Sequence, residues 1–303
     1  MAERAQCLKF IAACALILFA GATDAQEKAT RESTYARRGA TDFDEAVLRY
    51  MRGERPKIIG GKPAAPNEYP WQASLVVSWI ADASQAHFCG GSILNNQWIV
   101  TAAHCLVGLE AIDVHVVTGS NVLSPGVLRV NAARLITHAN YNPQTQDQDI
   151  ALIELKTPLP LGTTMQQIVP LAPAQEDQVL VVDRLLTVTG WGATSEGGRA
   201  VKDLQEVDVP FVAREACNDP LSYNGKITGN MICAGKAVGG QDSCQGDSGG
   251  PLVFRPEGGE PRLVGVVSWG EGCARPGKYG VYTRLTQYAD WMKTCTASAA
   301  PCQ

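Results

Sequence analysis

Three separated stretches carry side chains suited to nucleophilic chemistry. The segment Asp242-Ser243-Cys244-Gln245-Gly246-Asp247-Ser248-Gly249-Gly250-Pro251 presents the Ser248 hydroxyl on a glycine-flanked turn. Glycine lets a backbone approach a bound molecule closely and adopt conformations that other residues resist. A serine oxygen is a weak nucleophile until a base takes its proton and a third group orients that base. Thr101-Ala102-Ala103-His104-Cys105 supplies an imidazole. Asp149-Ile150-Ala151-Leu152 supplies a carboxylate leading into an apolar run that reads as a buried strand.

In these motifs, and in the order His104, Asp149, Ser248, the sequence resembles the trypsin-like (chymotrypsin-fold) serine endopeptidases, from Ile58 to about Trp291. The resemblance implies that Ser248 attacks the scissile carbonyl, His104 relays its proton, and Asp149 orients and stabilises the imidazole. Asp147 lies two residues away, but the family motif places the acid directly before Ile-Ala-Leu. His87, His115 and His138 lack the Ala-Ala-His-Cys context. The N–H groups of Gly246 and Ser248 are implied as the oxyanion hole, each such donor contributing about 3–4 kcal/mol to transition-state stabilisation.

Substrate contacts follow from the same resemblance. Asp242, six positions before Ser248, is implied at the floor of the primary pocket, where a carboxylate selects Arg or Lys. Ser243 adds a hydroxyl that helps accept lysine, and Gly270 and Gly280 match wall positions that leave room for a long basic side chain. Ser268-Trp269-Gly270 resembles the segment that pairs with substrate backbone as an added strand. The family's serine there also supports the catalytic acid, a role carried to Ser268, while the Trp269 indole suits a subsite wall. Arg55-Pro56-Lys57-Ile58-Ile59-Gly60-Gly61 resembles an activation site. Cleavage after Lys57, by a trypsin-like protease or another copy of this chain, would free the Ile58 amine to pair with Asp247 and order the neighbouring loop.

The start of the chain reads as a secretory signal. Arg4 and Lys9 precede an apolar run from Phe10 to Ala20, short for a bilayer span, with small residues near cleavage positions 22 or 25. The organisation expected is a signal over 1–25, a pro-segment over 26–57 and a peptidase domain over 58–303. The protein is expected to be secreted and extracellular, with the periplasm as the alternative. Ten cysteines are present, and losing Cys7 and Cys14 with the signal leaves an even eight. An even set in an exported chain implies a disulfide framework. The resemblance suggests Cys89–Cys105, Cys217–Cys233 and Cys244–Cys273, with Cys295–Cys302 remaining. Without a Cys-x-x-Cys pair, zinc is a poor reading. A net charge of −4 over 303 residues gives no sign of nucleic-acid binding, and no segment beyond the signal suits a membrane. Protein or peptide substrates and a monomer are expected.

The elements that must position this chemistry are mostly strands. Trp71–Val77, Ser92–Leu94, Trp98–Val100 and Val114–Val117 form one set, and Leu186–Gly192, Pro251–Phe254, Leu263–Gly270 and Gly280–Thr283 a second. Short strands with glycine and proline turns suggest an all-β barrel or sandwich. The resemblance implies two six-stranded antiparallel β-barrels with the active site between them, disulfide-stapled, the first over about 58–165 and the second over about 174–283. A short terminal helix is predicted over 287–294. Within the pro-segment, Thr41-Asp42-Phe43-Asp44 caps a predicted amphipathic helix whose one face carries Phe43, Ala46, Val47, Tyr50 and Met51. It reads either as part of a soluble linker or as an element that docks on the peptidase domain.

Some positions depart from the family pattern. Leu186 and Phe254 stand where many relatives bridge two cysteines, and apolar packing is the expected substitute. The loop from Gly119 to Arg129 contains no Asp or Glu, so calcium is not expected. Tyr279 occupies a position where relatives with tyrosine often bind sodium through nearby carbonyls, which leaves sodium open. No other cofactor is implied. The competing functional reading is a catalytically silent, protease-like binding protein. Such relatives usually lose a catalytic residue or the glycines around the serine, and neither is missing here.

Overall fold

A computed structural model describes residues 41–52, 62–192, 201–240, 246–273, 275–297 and 302. After the two-residue strand β1 (Lys62–Pro63), six strands form the first ring: β2 (Gln72–Val77), β3 (His87–Ile93), β4 (Trp98–Thr101), β5 (Val114–Thr118), β6 (Arg129–Thr137) and β7 (Ala151–Leu155). They pair antiparallel in the order β2-β3-β4-β7-β6-β5, and β5 returns to β2. Closure leaves no row of unpaired backbone groups at an edge. β6 shows how the pattern fits: Val130 and Ala132 share one buried face, and after a bulge between Ala132 and Arg134 the buried Ile136 lies on the other face, paired with Leu152.

The second ring follows a connection over residues 156–184 that includes β8 (Val169–Pro170). It comprises β9 (Leu185–Gly190), β10 (Gln205–Val212), β11 (Met231–Ala234), β12 (Pro251–Phe254), β13 (Arg262–Trp269) and β14 (Gly280–Arg284). The order is β9-β10-β11-β14-β13-β12, closed by pairing of β12 with β9, with β1 added to β10 and β8 to β13. The architecture is therefore two closed six-stranded antiparallel barrels. Leu75, Ile99, Ile153 and Leu155 pack inside the first, and Leu186, Val188, Leu252 and Tyr282 inside the second. Phe254 packs against the same cluster as Leu186, so apolar contact occupies the place of a bridge.

A 3₁₀ turn over Leu285–Tyr288 leads into the terminal helix Ala289–Ala297, somewhat longer than the predicted 287–294. Bridges join Cys89–Cys105, Cys217–Cys233 and Cys295–Cys302. Cys273 is also disulfide-bonded, and its expected partner Cys244 lies outside the described residues.

The predicted N-terminal helix spans Asp42–Met51. Its cap is Thr41, whose hydroxyl oxygen accepts the Asp44 N–H at 3.1 Å. Its apolar face is buried against β2, β3 and the short helix Ala83–Ala86, with Phe43, Ala46 and Val47 almost fully covered. Phe43 meets Phe88 edge-on at 5.3 Å between ring centroids, and Tyr50 meets Trp79 at 5.7 Å. The Arg49 guanidinium donates to the His87 carbonyl at 3.2 Å.

Candidate active site

Strand pairing explains why His104 and Asp149 are neighbours. Thr101, at the end of β4, lies opposite Ala151, at the start of β7, so the segments just beyond these residues run side by side. Asp149 Oδ1 accepts the His104 N–H at 2.9 Å, and Asp149 Oδ2 lies 2.7 Å from His104 Nδ1. The second barrel supplies another donor: Ser268 Oγ reaches Asp149 Oδ2 at 2.5 Å. Ser268 is the extra residue of a bulge, since Val267 pairs with Tyr282 and Trp269 with Val281. The bulge turns its hydroxyl out of the strand alternation and onto the carboxylate. Asp149 is completely buried, and these donors compensate the loss of water around its charge.

Two further contacts tie this acid to the second barrel. The Thr283 hydroxyl donates to the Asp149 carbonyl at 2.5 Å. Asp147 accepts from the Thr228 hydroxyl at 2.6 Å and the Asn230 amide at 3.0 Å. Asp147 therefore anchors the loop on which Asp149 sits.

Ser248 stands on a turn fixed by backbone bonds from both barrels. Its carbonyl accepts the Gly90 N–H at 2.7 Å, Gly249 N–H reaches the Val267 carbonyl at 2.8 Å, and Gly250 N–H reaches the Asp247 carbonyl at 2.8 Å. Gly246 has φ +94°, and a Cβ there would fall 2.9 Å from Gly192 Cα. Gly249 has φ +77°, and a Cβ there would come within 2.6 Å of the Gly90 carbonyl oxygen. Both positions demand glycine for conformation and space. Asp247 Oδ1 accepts the Gly192 N–H at 2.9 Å, while Lys57 and Ile58 lie outside the described residues.

Sequence reasoning passed over His87. Its ring is buried, with Nδ1 2.8 Å from Ser74 Oγ and Nε2 2.9 Å from the Gly246 carbonyl. Burial, aided by the Arg49 charge, pushes its pKa down to about 4 despite the Gly246 bond, so the ring is neutral near pH 7. A carbonyl only accepts, so Nε2 carries the proton and Nδ1 accepts from Ser74. His87 thus positions Gly246. The signal in the sequence was only its place three residues before the Gly90-Gly91 pair.

A second carboxylate reaches the cleft from the N-terminal helix. Asp42 Oδ2 lies 3.4 Å from His104 Nε2, on the ring edge opposite Asp149, and the Ser248 hydroxyl is within its hydrogen-bonding reach. Burial alone would lower the His104 pKa. The Asp149 charge and hydrogen bond, joined by those of Asp42, outweigh that effect and raise it to about 10. Burial likewise opposes ionisation of Asp42, yet His104, Ser248 and Arg49 together hold its pKa below the ordinary carboxylate value. Asp42, Cys89, His104 and Cys105 approach one another, but both sulfurs are consumed in the Cys89–Cys105 bridge. Two ligands remain, too few for a protein-held zinc site.

Asp242 and Ser243 lie outside the described residues. Gly280 is buried at the start of β14, and Gly270 follows β13 directly. Trp269 meets Tyr223 edge-on at 4.9 Å between ring centroids. The Tyr279 carbonyl already accepts the Tyr223 hydroxyl at 2.6 Å, which leaves one lone pair on that oxygen for any cation.

Among the described residues, no helix is long and apolar enough to cross a membrane. Residues 58–292 match the family model described as Trypsin. Transmembrane protease serine 11E of Mus musculus is 40% identical over 240 residues, covering 79% of this chain and 55% of that protein. Transmembrane protease serine 11G of Mus musculus is 37% identical over 241 residues, covering 80% of this chain and 56% of that protein. The chain spans a little over half the length of these relatives. With the two closed barrels and this extent of sequence match, the chain belongs to the trypsin family and carries a trypsin-family serine-protease domain.

Proposed function

We propose that this protein is a secreted serine endopeptidase that hydrolyses peptide bonds after Arg or Lys, made as a precursor that is activated by cleavage after Lys57. The observation that carries the reading is the fully buried Asp149 carboxylate, held by the His104 N–H, the His104 ring and Ser268 at 2.9, 2.7 and 2.5 Å. Such an arrangement fixes the imidazole with Nδ1 protonated and leaves Nε2 to serve as base. Ser248 Oγ attacks the carbonyl carbon while its proton passes to His104 Nε2. The oxyanion draws on the N–H groups of Gly246 and Ser248, in a turn that His87 braces through the Gly246 carbonyl. His104 then delivers the proton to the leaving amine, and water repeats the sequence on the acyl-enzyme. Asp242 recognises the basic side chain before the scissile bond, and Ser243, Gly270 and Gly280 shape its pocket.

The test is a fluorophosphonate label applied to the form cut after Lys57. Labelling at Ser248, abolished in Ser248→Ala, and turnover of Arg and Lys substrates that Asp242→Ser eliminates, are the expected results. A cut form that neither labels nor hydrolyses would sink the peptidase reading and favour the silent binding protein.

A further inference from the structure

We propose that the helix Asp42–Met51 is a built-in competitive inhibitor, a plug that keeps the cleft closed by docking beside the Cys89–Cys105 bridge and placing its Asp42 carboxylate on His104 and Ser248. The plug presupposes the peptidase chemistry given above, and it acts separately from the cut after Lys57.

Three observations meet here. The helix is well formed, with a Thr41 cap and an apolar face buried through Phe43, Ala46 and Val47. It is anchored at both ends, by Phe43 on Phe88 and by Tyr50 on Trp79, with Arg49 bonded to the His87 carbonyl between them. Its first residue then delivers an anion to the one ring nitrogen that must stay free to accept the serine proton, at 3.4 Å. A carboxylate there favours the charged imidazole, which is no base, and it also engages the nucleophile itself. The contact is polar and aimed at reacting groups, whereas a bare packing helix would need only its apolar face.

None of the helix's described contacts depends on the bond between Lys57 and Ile58. Cleavage there leaves the same surfaces in place and turns the plug from a tethered group into a separate ligand, which loses the advantage of high effective concentration. Full activity therefore needs two events, the cut and the departure of the helix.

The experiment uses the full chain cut after Lys57, in four forms: unaltered, Asp42→Asn, Phe43→Ala, and the pair Phe43→Ala with Val47→Ala. Folding is checked by circular dichroism. Hydrolysis of an Arg-containing peptide is followed with substrate concentration, and amide exchange is measured over residues 43–51. The unaltered form is expected to show a raised KM with normal kcat and protected helix amides. The variants are expected to lower KM by about tenfold or more, the scale of a lost charge-assisted hydrogen bond or a lost aromatic anchor. Equal KM and kcat in all forms, or unprotected amides in the unaltered cut form, would overturn the plug. If no form hydrolyses substrate, the peptidase reading fails, and amide exchange still decides whether the helix remains docked through Phe43 and Val47.

Discussion

Asp149 and Asp42 flank one imidazole, yet they belong to regions held together in very different ways. Asp149 sits on the seam between the barrels. Its side chain is wholly inaccessible, and its partners come from the segment after β4 and from the bulge in β13. Asp42 sits on the first turn of a helix laid over the barrel surface, with 23% of its side chain exposed. Stripping donors from Asp149 strands a charge inside the protein, whereas lifting Asp42 away returns its charge to water. The same chemistry, a carboxylate against a histidine, is thus permanent at one edge of the ring and removable at the other. Burial and the number of donors make that difference.

Replacing Asp149 tests the permanent side most severely. Asp149→Asn is expected to lower kcat by about 10⁴-fold, because the amide presents a donor to Nδ1 and favours the wrong tautomer. Burst kinetics on the cut form would measure it, and a loss below tenfold would show that the seam carboxylate is not the orienting acid. A smaller effect is expected from Ser268→Ala, about tenfold in kcat, since Asp149 keeps the His104 donors and loses one charged hydrogen bond. Unchanged kcat would leave the bulge without a catalytic consequence.

The removable side is sharpened by pH. The groups facing His104 are Asp149 from the seam and Asp42 from the helix, with Arg49 on the same helix acting on Asp42. The raised His104 pKa makes a stabilising contribution that is complete below the ordinary histidine value and lost as pH rises through about 10. The lowered Asp42 pKa makes one that is present above the ordinary carboxylate value and lost as pH falls through the folded-state value. Docking is therefore strongest in mildly acidic solution, between the ordinary carboxylate and histidine values, and weakens as pH rises toward about 10. Asp42→Asn is expected to bring the His104 titration downward while Asp149 still holds it above that of free histidine. The Nδ1 proton resonance reports this directly, and an unmoved titration would separate Asp42 from the ring. The smallest effect belongs to Thr41→Ala. Loss of the cap is expected to weaken the helix by about 1 kcal/mol, read as roughly fivefold faster amide exchange over residues 43–51, with kcat unaltered.

How legible these features were depended on how local their causes are. The helix Asp42–Met51 was readable because a capping threonine and an apolar stripe lie within ten residues. β2 and β13 were readable as largely apolar, valine-containing runs. β10 was not, because Pro210 interrupts it and its outer face carries Glu206 and Asp208. β11 was missed because four residues are too few to establish a period, and β6 because its bulge breaks the alternation that would announce it. Among site residues, His104, Asp149 and Ser248 stood out by motif. His87 did not, since its partner Gly246 lies 159 positions away. Asp147 looked like a bystander because Thr228 and Asn230, which hold it, come from the other barrel. Asp42 looked like an ordinary first-turn acid, favourable there through the helix dipole alone.

By itself, the order of residues determined which groups have reactive chemistry, where glycine is compulsory around the serine, and which segments favour strand or helix. Those properties depend on neighbours a few positions apart. Only the tertiary structure decided that a bulge hands Ser268 to Asp149, that a neutral His87 braces Gly246, and that a helix from the far N-terminal side sets a second acid against His104. Each of these requires a ring to close or a surface to be covered, and contacts made across such distances leave no period in the chain to read.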